Sequence, residues 1–153
     1  MTSNVFRLPA GPRFRVLIAH QRGDVRHVLR TLIETENVAI AEAADGDGAL
    51  AQLERAQFDL LVVELDLPIK DGLALMQLHR VLLAHERHPI EPPAVLFTLK
   101  REVRDNAALT DHLRDLGAAG FVDDAPRADA ARLVEDILAA RATRLGTGKP
   151  AAA

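Results

Sequence analysis

Five short runs rich in branched and aromatic apolar residues recur along the chain: "FRVLIA" (14–19), "VAIAEA" (38–43), "DLLVVE" (59–64), "AVLFT" (94–98) and "GFVD" (120–123). Between them lie longer stretches whose apolar residues return every three to four positions. Strand-like runs alternating with helical periodicity form βα units, and such units close on a parallel sheet. The first, third and fourth runs are almost wholly apolar, as a strand must be when helices cover both its faces. The helical stripes are Val25, Leu29 and Leu32 with Val28 and Ile33; Ala49, Leu50 and Leu53; and Leu73, Met76, Leu78, Leu82 and Leu83. "REVRDNAALTDHLRDLG" (101–117) reads as a fourth helix ending on Gly117, a residue suited to a left-handed cap. "RADAARLVEDILAAR" (127–141) follows Pro126 at a helix start.

Residues 1–13 and 143–153 show no periodicity and read as tails, which leaves a domain over 14–142. With 153 residues, 48% apolar and 27% charged, the chain suffices for one domain with one buried core. A net charge of -3 gives no electrostatic case for wholesale binding to nucleic acid or membrane. The absence of cysteine excludes disulfides, thiolate catalysis and Cys-ligated zinc. No apolar run is long enough for a membrane span, and the first residues do not resemble a signal peptide, so the expected location is the cytoplasm.

In an open parallel sheet the carboxyl ends of the strands gather at one edge, where Ala19-His20-Gln21, Glu64 to Asp66, Thr98 and Asp123-Asp124 should meet. The βα order resembles the receiver domain of bacterial two-component response regulators. So do "AEAADGDGAL" after the second strand, "LPIKDG" after the third, "FT" closing the fourth and "GAAGFV" leading into the fifth. The resemblance implies a doubly wound five-stranded α/β fold, flavodoxin-like, with strand order 2-1-3-4-5. It also implies a phosphoacceptor four residues before Pro68, which is Glu64 here. The Mg²⁺-holding acid pair falls on His20 and Gln21, the phosphoryl-capturing hydroxyl on Thr98, the aromatic reporter on Phe121 and the pairing lysine on Asp124.

The departures have physical consequences. Mg²⁺ prefers hard oxygen ligands, and phosphoryl transfer needs cations to neutralise phosphate charge. An imidazole and an amide in place of two acids remove that ligand set, and Asp124 repels an incoming phosphate where an ammonium would hold it. No Mg²⁺ or other cofactor, no catalytic residue and no enzymatic activity are therefore expected. Glu64 has one methylene more than Asp, which extends its carboxylate towards Thr98. In one reading it supplies permanently the charge that a phosphoryl group would bring. In the other it is a structural strand-end acid, because one carboxylate has less charge and fewer oxygens than a phosphoryl group. Asp66 is a candidate displaced acceptor. With His20 and Glu64 it also suggests an N/O metal cluster, although strand-end acids near a histidine more often form a hydrogen-bonded network.

Arg22, Arg26 and Arg30 recur every four residues, and Arg101 with Arg104 and Arg141 with Arg144 form similar pairs. They read as solvated helix faces, or as sites for an acidic protein or a cyclic dinucleotide. His79, His85 and His88 read as surface histidines, and "GTGKP" lacks phosphate-loop spacing. The expected function is signalling by protein–protein contact, with no room for an output domain after 142. The partner would be a histidine kinase, phosphotransfer protein or downstream effector, engaged through residues 100–142. DNA binding is disfavoured by charge and by the lack of a helix-turn-helix segment. The alternatives are a phosphorylatable regulator with a non-standard acceptor and a cyclic-dinucleotide-binding effector.

Overall fold

The computed structural model describes residues 11–87 and 90–146. Along the chain run β1 (Phe14–Ala19), α1 (Gly23–Ile33), β2 (Val38–Ala43), α2 (Gly46–Arg55), β3 (Leu60–Glu64) and α3 (Gly72–Ala84). Then come β4 (Ala94–Leu99), α4 (Arg101–Arg104), α5 (Ala107–Asp115), β5 (Gly120–Asp123) and α6 (Ala128–Leu145). The strands are all parallel, in the expected order β2-β1-β3-β4-β5.

Alternation along each strand builds the core on both faces. Leu61 and Val63 of β3 join Leu17 and Phe97 beneath Leu53 of α2 and Leu75 of α3. Leu60 and Val62 join Val16, Ile18 and Leu96 beneath Leu29 of α1 and Val134 of α6. All five residues of β3 are buried, Glu64 included, so this central strand delivers a carboxylate into the protein rather than into solvent. Asp45 and Asp71 cap α2 and α3 by accepting from the amides of Gly48 and Ala74.

Several expectations are corrected. The expected fourth helix is two helices, because the Asn106 side chain accepts from the Leu109 amide and restarts the helix as α5. Its end is as foreseen: Gly117 takes φ 120, the Gly117 amide donates to the Arg114 carbonyl and the Ala118 amide to that of Leu113. A Cβ at Gly117 would also collide with the Arg80 guanidinium, which donates to the carbonyls of Leu116 (3.0 Å) and Gly117 (3.2 Å). The final helix continues to Leu145 and stops at Gly146 with φ 70, so the boundary expected at 142 falls inside it. Residues 1–10 and 147–153 of the expected tails, and His88, lie outside the described residues.

Val28 and Leu82, placed in apolar stripes, are 40% and 42% exposed, whereas Leu75 is fully buried. His79 is not a surface histidine: it lies on the packed side of α3, one turn after Leu75. Burial, and to a lesser degree the nearby Arg80 charge, hold its pKa below the ordinary histidine value. Arg141 is likewise buried rather than part of an open basic pair, donating to Asp59 Oδ1 (3.3 Å) and to the carbonyls of Pro92 (2.7 Å) and Glu91 (3.0 Å). No described helix is long and apolar enough to cross a membrane.

Candidate functional site

The carboxyl edge of the sheet brings most of the expected residues together. Glu64 ends β3 in register with Thr98 of β4. The chain then turns sharply: the Leu65 amide donates to the Thr98 carbonyl (3.0 Å) and the Gly72 amide to the Leu65 carbonyl (3.0 Å). A Cβ on Gly72 would press on the Glu64 carbonyl oxygen, so glycine is what lets α3 start this close to the strand end. Pro68 presents its carbonyl to the amides of both Gly46 and Lys70, each at 2.9 Å. The Lys70 bond closes a γ-turn around Ile69, which sits at φ 74 and is 70% exposed. A β-branched residue at positive φ is strained.

Glu64 does not extend towards Thr98, which corrects the expectation. Its carboxylate turns to the β1 mouth, where Oε1 accepts the Gln21 backbone amide (3.0 Å) and Oε2 accepts Gln21 Nε2 (2.8 Å). One residue thus satisfies both oxygens of a side chain that is 7% exposed as a residue. Thr98 Oγ1, by contrast, is buried and has no hydrogen-bond partner among the described residues. An unsatisfied buried hydroxyl costs about 1–3 kcal/mol.

His20, 1% exposed, links this pair to the fifth strand. The Arg22 amide donates to His20 Nδ1 at 3.0 Å, which fixes the tautomer with hydrogen on Nε2, facing Asp124 Oδ1 at 3.3 Å. The 3.7 Å approach of His20 Nδ1 to Glu64 Oε1 is then a contact between two acceptors and not a hydrogen bond. Arg26 Nη1 donates to the His20 carbonyl at 2.6 Å, anchoring the loop from below.

This donor set does not fit Mg²⁺. The amide nitrogen of Gln21 points at Glu64, both imidazole nitrogens of His20 are engaged, and neither position presents an acidic oxygen. The metal cluster considered from His20, Glu64 and Asp66 is not assembled: Asp66 is exposed while the other two are buried. Among the described residues no group of three or more His, Asp or Glu side chains is placed to hold a metal ion.

Phe121 is 9% exposed, with the Arg114 guanidinium 5.1 Å above its ring centroid, a cation–π contact. Arg101 and Arg104 lie 3.8 and 4.0 Å from Asp123 and, with Phe121, Arg127 and Leu133, line a groove of about 340 Å³ between α4, β5 and α6. The basic edge of α1 is not an open patch. Arg26 and Arg30 bind Glu42 at 3.1 and 2.7 Å, and Arg22 binds Asp24 at 2.6 Å. Arg30 first, then Arg26, hold the Glu42 carboxyl below its ordinary pKa. Arg144 donates to Glu91 at 2.9 Å. Sequence reasoning missed three features: Gln21 as the internal ligand of Glu64, the Arg114 cap and the strained Ile69. Only the last left a signal, a branched residue where a Pro/Gly turn favours small ones.

The family model of the response regulator receiver domain matches residues 16–124. The transcriptional regulatory protein ResD of Bacillus subtilis (strain 168) is 32% identical over 88 residues, which are 58% of this chain and 34% of that protein. The protein-glutamate methylesterase/protein-glutamine glutaminase 1 of Paramagnetospirillum magneticum is 30% identical over 70 residues, 44% of this chain and 18% of that protein. The chain thus spans about a third or less of the curated relatives it matches. Among solved structures, the receiver domain of AraT, a response regulator from Geobacillus stearothermophilus, superposes with a TM-score of 0.68 at 23% identity, covering 90% of this chain and 99% of that one. A CheY-like response regulator receiver domain protein from Methanospirillum hungatei gives 0.69 at 16% identity, with coverage of 88% and 99%. These two likenesses establish the fold, and the family match over most of the described chain adds its lineage: the protein belongs to the response regulator receiver domain family.

Proposed function

We propose that this receiver signals through protein–protein contacts without conventional phosphorylation, its acid pocket being held by its own side chains. The observation that carries this reading is the double hydrogen bond from Gln21 to Glu64. Both carboxylate oxygens accept from Gln21 in a buried site, which holds the carboxylate towards β1 and lowers its nucleophilicity towards a phosphodonor. The Arg22 guanidinium, which acts on Glu64 and Asp124 through space, is already paired with Asp24, and Asp124 adds negative charge at the same edge. Asp66 stands in solvent with no such setting.

The partner surface is the α4–β5–α6 face within residues 100–142. Its groove carries the guanidinium groups of Arg101, Arg104 and Arg127 against the carboxylates of Asp123 and Asp129, beside apolar Leu133, a net basic composition suited to an acidic segment of a histidine kinase, phosphotransfer protein or effector. The decisive experiment is incubation with a radiolabelled small phosphodonor and Mg²⁺. No acid-stable, base-labile label is expected. Label that disappears in Glu64→Ala or in Asp66→Ala would establish the non-standard acceptor instead. Partner capture compared between the parent protein and Glu64→Gln then tests the charge: weaker capture assigns it a signalling role, and equal capture leaves a structural acid. The same three arginines beside an aromatic ring also suit a cyclic dinucleotide. Calorimetric heat abolished by Arg104→Ala would favour that reading.

A further inference from the structure

Arg80 is the one formally charged residue in α3, and its guanidinium is spent on the carbonyls of Leu116 and Gly117. The outward side of the helix shows Ala74, Gln77, Val81 and Leu82, with Val81 54% and Leu82 42% exposed. A solvated helix ordinarily turns charged residues outward, so an uncharged side this long marks a surface that something covers. Beside it, α2 and α3 enclose a groove of about 480 Å³ lined by five leucines and His79. Its only charged lining residues are Glu54 and Glu86, neither of which is in an ion pair among the described residues. Burial and the Arg80 charge disfavour protonation of His79, so the floor offers no competing cation. Arg55 enters only in the adjoining hollow.

We propose that the α2–α3 groove and the uncharged side of α3 dock an amphipathic helix of a partner protein whose apolar stripe is flanked by lysine or arginine. Five leucines receive the stripe, and two unpaired carboxylates meet the flanking cations. This surface is separate from the α4–β5–α6 face and does not depend on how the acid pocket behaves.

The test is fluorescence anisotropy of the full chain with a labelled helical peptide of leucine and lysine, its apolar residues at helical spacing, and with its leucine/glutamate counterpart. The lysine peptide should bind and the glutamate peptide should not. Glu54→Lys combined with Glu86→Lys should weaken binding about tenfold, as expected when two exposed ion pairs become repulsions. Leu82→Ser should weaken it comparably; Val81→Ser is the substitute if the first variant melts early. Glu135→Lys with Asp136→Lys, on exposed α6 positions, should leave it unchanged. Equal binding of both peptides, or equal loss in the α6 control, would overturn the proposal. So would a dimer in sedimentation that Leu82→Ser dissolves while the peptide stays unbound, since that assigns the face to a second copy of the chain.

Discussion

Just before β3, Asp59 is held by charge and by backbone. Its Oδ1 faces the buried Arg141 guanidinium at 3.3 Å, and its Oδ2 accepts the Arg15 amide at 2.8 Å. At the other end of the same strand, Glu64 is held by the neutral donors of Gln21 alone. The lower acid has its charge cancelled and ties residues 82 positions apart in sequence. The upper acid has its hydrogen bonds from neutral donors, with no Lys or Arg ion pair among the described residues and Arg22 acting on it only through space. One end of the strand is therefore a fixture built on an ion pair, and the other an acid held by a neutral neighbour.

This contrast can be broken. The largest loss should follow Arg141→Met, which leaves Asp59 and two carbonyls without their donor and should cost about 3 kcal/mol in urea unfolding, within the range for a broken buried pair. Glu64→Ala removes two hydrogen bonds from Gln21, an exposed residue whose donors can turn to water, and should cost about 1 kcal/mol by the same measurement. If Glu64→Ala proved the more damaging, the assignment of the fixture to the lower end would be reversed. Thr98→Val should move the other way, because it removes a hydroxyl with no partner and should stabilise by up to about 1 kcal/mol. Ile69→Gly should add about 1 kcal/mol by relieving a positive φ that glycine adopts freely.

The smallest effect comes from pH and concerns neither end of β3. Burial holds the folded pKa of His79 below its ordinary value, so the unfolded chain takes the proton first. Its contribution is intact above that value and declines as pH falls through and below it, towards the folded pKa. Urea midpoints followed downward from neutral pH should show this decline, and His79→Gln should flatten it. An unchanged slope in the variant would assign the pH dependence to other groups.

The fold was legible because strand and helix periods differ so plainly. Runs such as "LLVVE" and the stripe Val25, Leu29, Ile33 each admit one placement in a parallel sheet. The gathering of His20, Gln21, Glu64 and Asp124 at one edge was legible from the convergence of strand ends. Side-chain direction was not. Glu64 turned from Thr98 to Gln21 because a backbone amide and a carboxamide waited there, and nothing local in "VVELDLP" encodes that. Arg141 looked like half of a surface pair because its ligands lie 49 to 82 positions away. The break between α4 and α5 could have been read from Asp105-Asn106, a capping signal inside an otherwise helical run.

The hand that Arg80 lays on the last carbonyls around α5 has a mechanical meaning. It bolts the helix beside the leucine-lined groove to the segment leading into β5, where Phe121 sits under Arg114. A load applied to α3 thus has a hydrogen-bonded route to the segment leading into β5 that does not pass through Glu64.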